Sequence, residues 1–477
     1  MSTARVTSAD DPQTASLEVT SPFDGSVIDQ LQKADAVRLE DLLSRAQRLH
    51  RDRAGWLVLD ERIGILSRTA ALLGKASGEF ARLIAREGGK PLTDAEVEVE
   101  RAIDGIRIAV DELRASPGEM VALGTTAITN RRLGFTVKEP IGPVVAISAF
   151  NHPLNLIVHQ VVPAVAAGCP VIVKPSEDTP LTCARFVALL HEAGLPQGWC
   201  STFITDEIPL AEALVTDPRV AFFSFIGSAK VGWMLRAKLA PGTRCALEHG
   251  GAAPVIVTAG APRQKTVTSL LKGGFYHAGQ VCVSVQRVFA PAAEARELAD
   301  ELAAGAARLA VGDPLSADTE VGPLIRPREV ERVSAWVTEA IEAGASLLAG
   351  GEGHDSRLFA PTVLFDPPAA ARVSREEVFG PVVCVYPYDS LDDAVARANS
   401  LPFAFQAAVF TPELDPALDI ARRLDASAVM INDHSAFRAD GMPFAGLKQS
   451  GLGVGGIPYT LDAMQIDKLI VLRSAAL

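Results

Sequence analysis

From residue 144 the sequence alternates continuous apolar runs with segments of helical period, and this alternation constrains the fold more than any other feature. VVAISAF (144–150), PVIVKP (170–175), STFIT, VAFFSFIG and RCALEHGG read as strands, with LNLIVHQVVPAVAAG, LTCARFVALLHEAG, ALVTD and VGWMLRAKLA helical between them. Strands apolar on both sides and separated by helices belong to a parallel sheet covered on both faces. A second series starts at RVFAP and runs through AEARELADELAAGAARL, REVERVSAWVTEAIEAG, PTVLF, VVCVYPY, LDDAVARAN, QAAVF, ALDIARRL and SAVMIND. A chain of 477 residues is too long for one core. The expected class is α/β with two doubly wound domains, divided near Gly250-Gly251.

Ahead of the alternation, residues 35–116 carry apolar residues at helical spacing, and Ser116-Pro117-Gly118 should stop the last helix. Residues 1–20 are polar and read as flexible. TTAITNRRLGFTVK (125–138) reads as a hairpin set apart from the main body, with the strand-like tail MQIDKLIVLR as its candidate partner.

Net charge is −12 with a pI of about 5.3, and no basic cluster stands out, which argues against nucleic acid or an anionic membrane as partner. The six cysteines fall singly, with no metal-ligand spacing to the eight histidines, so no metal is expected and the compartment is a reducing one. The first residues lack the pattern of a signal peptide, and no apolar run is long enough to span a bilayer. A cytoplasmic location is the expectation.

One cysteine lies where chemistry is possible. FYHAGQVCVSVQR (275–287) puts Cys282 in a Gly-rich loop between a helical and a strand-like run, where backbone N–H groups can favour a thiolate. A lone cysteine is more often a small buried hydrophobe, so the rest of the chain decides. EPIGPVVAISAFNHPLN (139–155) ends a strand on Asn151, which is either a helix cap before Pro153 or an amide donor. VIVKPSEDTP (171–180) places Lys174 and Glu177 after a buried strand, where α/β sheets bind ligands. FSFIGSAKVG (223–232) offers the N–H groups of Gly227 and Ser228 at a helix start. LEHGGAAP (247–254) and EEVFGPVV (376–383) carry Glu248, Glu377 and Phe379, and PFAGLKQSG (443–451) follows. GLGVGG (451–456) matches the dinucleotide-binding glycine pattern formally but follows no clear strand and precedes no clear helix, so it reads as accidental.

In this order, and over about 135 to 455, these motifs resemble the aldehyde dehydrogenase superfamily. The resemblance implies a Rossmann-like cofactor domain (1–121 and 141–249), a catalytic domain (250–441) and a small β oligomerisation element (122–140 and 458–477). It implies Cys282 as nucleophile, Glu248 as general base, and Asn151 with the Cys282 N–H as oxyanion donors. Lys174 and Glu177 would hold the adenosine ribose, Gly227 and Ser228 the pyrophosphate, and Glu377 and Phe379 the nicotinamide riboside, with Ser148 and Phe150 beside them. The carboxylate at 177 favours NAD, with NADP possible. Ile226 stands where Thr is usual, His249 where Leu is usual, and Ala445 for a glycine.

The branch most similar to this chain contains phosphonoacetaldehyde, sulfolactaldehyde and lactaldehyde dehydrogenases. It implies a pocket with Arg107, His152, His159 and Arg438 for a small anionic or hydroxylated aldehyde, although Val281 stands where the phosphonoacetaldehyde enzymes carry Arg. A homodimer or homotetramer is implied, joined through 125–138 and 463–473. The alternatives are a CoA-acylating enzyme, which typically lacks the base that Glu248 supplies here, and a non-catalytic protein on the same fold.

Overall fold

The computed structural model describes residues 15–115, 118–353 and 356–477. The expected strands form two sheets. The first has the spatial order 451–452, 244–248, 222–226, 144–147, 171–174, 200–202, parallel throughout except for the short Gly451–Leu452. Val144, Val145 and Ala146 have no exposed surface, which is why their run is apolar without alternation. The chain leaves Val144–Ile147 towards one edge and returns on its other side at Phe222–Ile226. That reversal opens a crevice beyond the strand ends, between Ser148 and Gly227.

The second sheet has the order 346–349, 362–365, 382–388, 285–291, 253–257, 406–410, 428–431, antiparallel only at its first pair. Cys282 precedes the strand Val285–Pro291, and Glu377 precedes Val382–Tyr388. Residues at the amino ends of this sheet therefore meet residues at the carboxyl ends of the first, around one cavity.

The helix Leu92–Ala115 positions much of that junction. Ala95, Val99, Ala102, Ile106 and Ala109 bury one side of it. Asp94, Glu98 and Arg101 form a polar stripe beside them, spaced so that they share a face. Glu98 is buried against Lys90, and its Oε1 accepts from the N–H groups of Leu154 and Asn155 at 2.9 and 3.0 Å. It thereby caps the buried helix Asn155–Ala167, whose first donors would otherwise lack partners. Removing one member of such a buried pair typically costs about 3–5 kcal/mol.

Three local expectations need correction. Residues 16–20 are a strand paired with Val27–Gln32, while residues 1–14 lie outside the described part. The hairpin expected over 125–138 is turn from 127 to 131 and strand only from Arg132, with a first arm reduced to Met120–Val121. Its main partner is the tail: Gln465–Arg473 runs antiparallel to Arg132–Pro140, from Gln465 opposite Pro140 to Arg473 opposite Arg132. GLGVGG begins on the short paired segment Gly451–Leu452 and is followed directly by the helix Ile457–Ala463. The helix before Ser116-Pro117 ends at Ala115, and those two residues lie outside the described part. No helix among the described residues is long and apolar enough to cross a membrane.

Candidate active site

A cavity of about 930 Å³ lies between the two sheets. Its walls include Cys282, Glu248, Asn151, Ser148, Phe150, Lys174, Glu177, Gly227, Ser228, Glu377, Phe379, His152, His159 and Arg438, every site residue named from the sequence except Arg107.

The loop carrying Cys282 is held from several sides. His277 and Ala278 adopt left-handed backbone at φ 47° and 53°, strain that side chains other than glycine rarely accept. Gln280 anchors the turn: its amide donates to the carbonyls of His277 and Pro323, and its oxygen accepts from Ile325 N–H at 3.0 Å. Ser435 Oγ donates to the Val283 carbonyl at 2.8 Å. Asn151 is not the helix cap, a task Glu98 performs; its Nδ2 donates to the Gln280 carbonyl at 2.9 Å. An amide has two N–H groups, and the second is left for a ligand beside Cys282. Burial pushes the Cys282 thiol up to about 12, while Arg438 pulls it down and Glu377 and Glu248 oppose a thiolate. The resting sulfur is a neutral thiol, so a base must take its proton.

Glu248 ends the strand Arg244–Glu248, and its carbonyl accepts from the Gly227 N–H at 3.1 Å. Gly227 is therefore not a free donor, a correction to the expectation for FSFIGSAKVG. Burial raises the Glu248 carboxyl, with Arg438 opposing. A raised carboxyl is a stronger base than an ordinary one, as proton abstraction requires. A side chain on Gly455 would fall on Glu248 Oε1, so the accidental-looking glycine run supplies the space this carboxyl occupies.

At the far end, Lys174 Nζ lies 3.9 Å from Glu177 Oε2. Arg326 Nη2 donates to Glu177 Oε1 at 2.8 Å and Arg326 Nε to Asp178 Oδ1 at 2.7 Å. Glu377 is pushed up to about 8 by burial and accepts from Gly251 N–H at 3.2 Å. A side chain on Gly250 would collide with its carboxyl, which explains the first glycine of the pair. Phe150 and Phe379 meet edge to face at 5.8 Å. Ser148 Oγ is buried in the cavity wall and has no hydrogen-bond partner among the described residues. An orphaned hydroxyl, a cation–carboxylate pair and an edge-to-face aromatic pair fit a dinucleotide, polar at one end and ring-shaped at the other. Among the described residues no group of His, Cys, Asp and Glu is placed to hold a metal.

Near the thiol, Arg438 stacks on Phe444 with its guanidinium carbon 3.4 Å from the ring centroid. Its Nη2 donates to His159 Nδ1 at 3.3 Å, and His159 Nε2 donates to Asp440 Oδ1 at 2.7 Å. A guanidinium can only donate, which fixes the proton of this imidazole on Nε2. Burial lowers His159 to about 4, so it is neutral. Asp440 also accepts from both Nε and Nη2 of Arg101, at 3.1 and 2.8 Å, and from Asn155 at 2.9 Å. His152, 3.3 Å from the Tyr276 hydroxyl, is held neutral by burial. Of the four cationisable groups expected here, three line the cavity, as one arginine and two neutral histidines. Arg107 is the correction: it is exposed on the solvent side of its helix and lines no part of the cavity. Arg101, on the polar stripe of the same helix, does line the cavity wall, paired with Asp440.

Sequence reasoning missed Arg101, Gln280, Tyr276 and Arg326. The stripe Asp94-x3-Glu98-x2-Arg101 was a usable signal for the first, since charged residues on the inward side of a helix need partners. Arg326 carried no such signal.

The aldehyde dehydrogenase family model matches residues 8–470. The 3-sulfolactaldehyde dehydrogenase of Priestia aryabhattai is 37% identical over 413 residues, covering 87% of this chain and 86% of its own length. Aldehyde dehydrogenase 21 from Physcomitrella patens, solved with the reaction product succinate, superposes with a TM-score of 0.93 at 33% identity, over 98% of this chain and 96% of that one. Glyceraldehyde-3-phosphate dehydrogenase GapN from Methanocaldococcus jannaschii, solved with NADP, gives 0.92 at 32% identity, over 97% and 100%.

Proposed function

The chain belongs to the aldehyde dehydrogenase family, and from that premise we propose that this NAD(P)-dependent enzyme oxidises a small aldehyde bearing an acid group, through a thioester on Cys282 that Glu248 helps water to release. The acid group lies against Arg438, with Arg101 flanking, and the aldehyde carbon lies against the sulfur. The thiol proton passes to water as sulfur bonds to carbon, and the carbonyl oxygen becomes an oxyanion. Asn151 Nδ2–H and the Cys282 N–H donate to that oxygen, charge-assisted bonds made only once the charge develops.

The nicotinamide, when bound, supplies the hydride acceptor. Lys174, Glu177 and Ser148 bind the dinucleotide, and Phe150 and Phe379 pack against its ring end. After oxidation a thioester remains on Cys282. Glu248 takes a proton from water. The water oxygen bonds to the acyl carbon, the carbon–sulfur bond breaks, and the carboxylate leaves with the thiol restored.

One observation carries the substrate class: the Arg438–His159–Asp440–Arg101 chain beside Cys282. Asp440 offsets one of its two arginines, leaving one positive charge for a substrate anion. The relatives named above are described with a sulfonated aldehyde, a dicarboxylate product and a phosphorylated aldehyde, and each of these carries an anion. The test is NADH formation with aldehydes bearing carboxylate, sulfonate or phosphate, against propanal, with the acid product identified by mass. An acyl-CoA product formed only with added CoA would favour the acylating alternative, against which Glu248 argues.

A further inference from the structure

We propose that Arg326 selects the cofactor: it allows a dinucleotide with a 2′-phosphate to bind as well as one without. The inference rests on the adenosine-ribose role given above to Lys174 and Glu177. A lone carboxylate at 177 would accept a bond from a 2′-hydroxyl and repel a phosphate. This carboxylate is not alone. Arg326 immediately precedes the helix Pro327–Glu342 in the second half of the chain and reaches across the cleft to Glu177 and Asp178, at 2.8 and 2.7 Å. With Lys174 3.9 Å from Glu177, two cations and two carboxylates share one corner of the cavity. Arg326 Nη1 makes no hydrogen bond among the described residues, which leaves a donor for a ligand.

Facing a 2′-hydroxyl, Glu177 accepts from it while Arg326 keeps its pairs. Facing a 2′-phosphate, the guanidinium turns its fork to the phosphate, with Lys174 as a second cation, and the carboxylates turn to water. The Glu177, Arg326 and Asp178 side chains are 39%, 26% and 20% exposed, so water reaches both carboxylates when the pairs open.

The test is calorimetric binding of NAD⁺ and of NADP⁺, without aldehyde, to the wild-type protein and to Arg326→Ala, Arg326→Lys and Glu177→Gln. The wild type should bind both cofactors, NADP⁺ within about tenfold of NAD⁺. Losing charge-assisted phosphate bonds should weaken NADP⁺ by about 10- to 150-fold in Arg326→Ala and change NAD⁺ by less than about threefold. Arg326→Lys, which keeps the charge and serves if the alanine variant is unfolded, should lie between; Glu177→Gln should weaken NAD⁺ and strengthen NADP⁺. Equal losses for both cofactors, or a wild type that does not bind NADP⁺, would overturn the proposal. A protein that binds both cofactors and oxidises no aldehyde would instead sink the proposed reaction.

Discussion

The carboxyl of Glu248 occupies the place where a side chain on Gly455 would stand. Gly455 is fixed by reciprocal backbone hydrogen bonds with Phe444, at 2.7 and 3.0 Å, so it cannot withdraw. A methyl group there must move the carboxyl. Gly455→Ala should therefore slow the step that needs Glu248 as base, by up to about 100-fold in kcat, the lower range for a displaced general base. Stopped-flow NADH traces check it: the first turnover should persist while the steady state falls. An unchanged kcat would mean the carboxyl works from another position.

Removing the base itself should separate the two halves of the reaction. Glu248→Gln should give a burst of NADH and then a slow steady state, because the thioester waits for water. Cys282→Ala should give neither phase while still binding NAD⁺. The raised carboxyl also predicts a pH limb: kcat should increase with pH as Glu248 loses its proton, at a pH above the ordinary carboxyl range. Glu248→Gln should lack that limb.

Glu377 gives a stability prediction. Its carboxyl is raised from 4.5 to about 8, so between those values the folded protein holds a proton that the unfolded chain has released. Stability contributed by this group is fully present below about 4.5 and is lost as pH rises towards 8. Glu377→Gln keeps an oxygen for the Gly251 N–H and has no charge to bury. It should melt above the wild type at pH 8 and lose that advantage at pH 5, as read by calorimetry at both.

The sheet formed by the tail and Arg132–Pro140 leaves Leu469, Val471 and Leu472 about half exposed. Apolar side chains on an open-edged sheet favour association. The protein should sediment as a dimer or larger, and changing these three residues to Lys, Thr and Lys should shift it towards monomer. An active wild-type monomer at micromolar concentration would contradict this.

Much of the architecture was legible because strands covered on both faces have no polar alternation, so Val144–Ile147 and Val171–Lys174 stand out as apolar runs. The residues around Cys282 were legible through motifs whose order along the chain could be compared with a family. The substrate end was not. Arg101 and Arg107 sit on one helix among apolar neighbours, and helical geometry turns them to different sides. Only a contact with Asp440, 339 positions away, shows which one is inside. Histidine charge was equally hidden, since His159 is neutral because of what buries it.

The central claim is that this site holds an anionic aldehyde through Arg438 and Arg101. The most direct measurement is kcat/KM of Arg438→Leu and Arg101→Leu with a carboxylated or sulfonated aldehyde and with propanal. A lost charge-assisted bond should lower kcat/KM by about 10- to 150-fold for the anionic aldehyde and far less for propanal. Arg107→Leu should change neither, since its side chain faces solvent. Equal losses on both aldehydes would show that the two arginines only hold the structure together, and would contradict the anionic-substrate assignment.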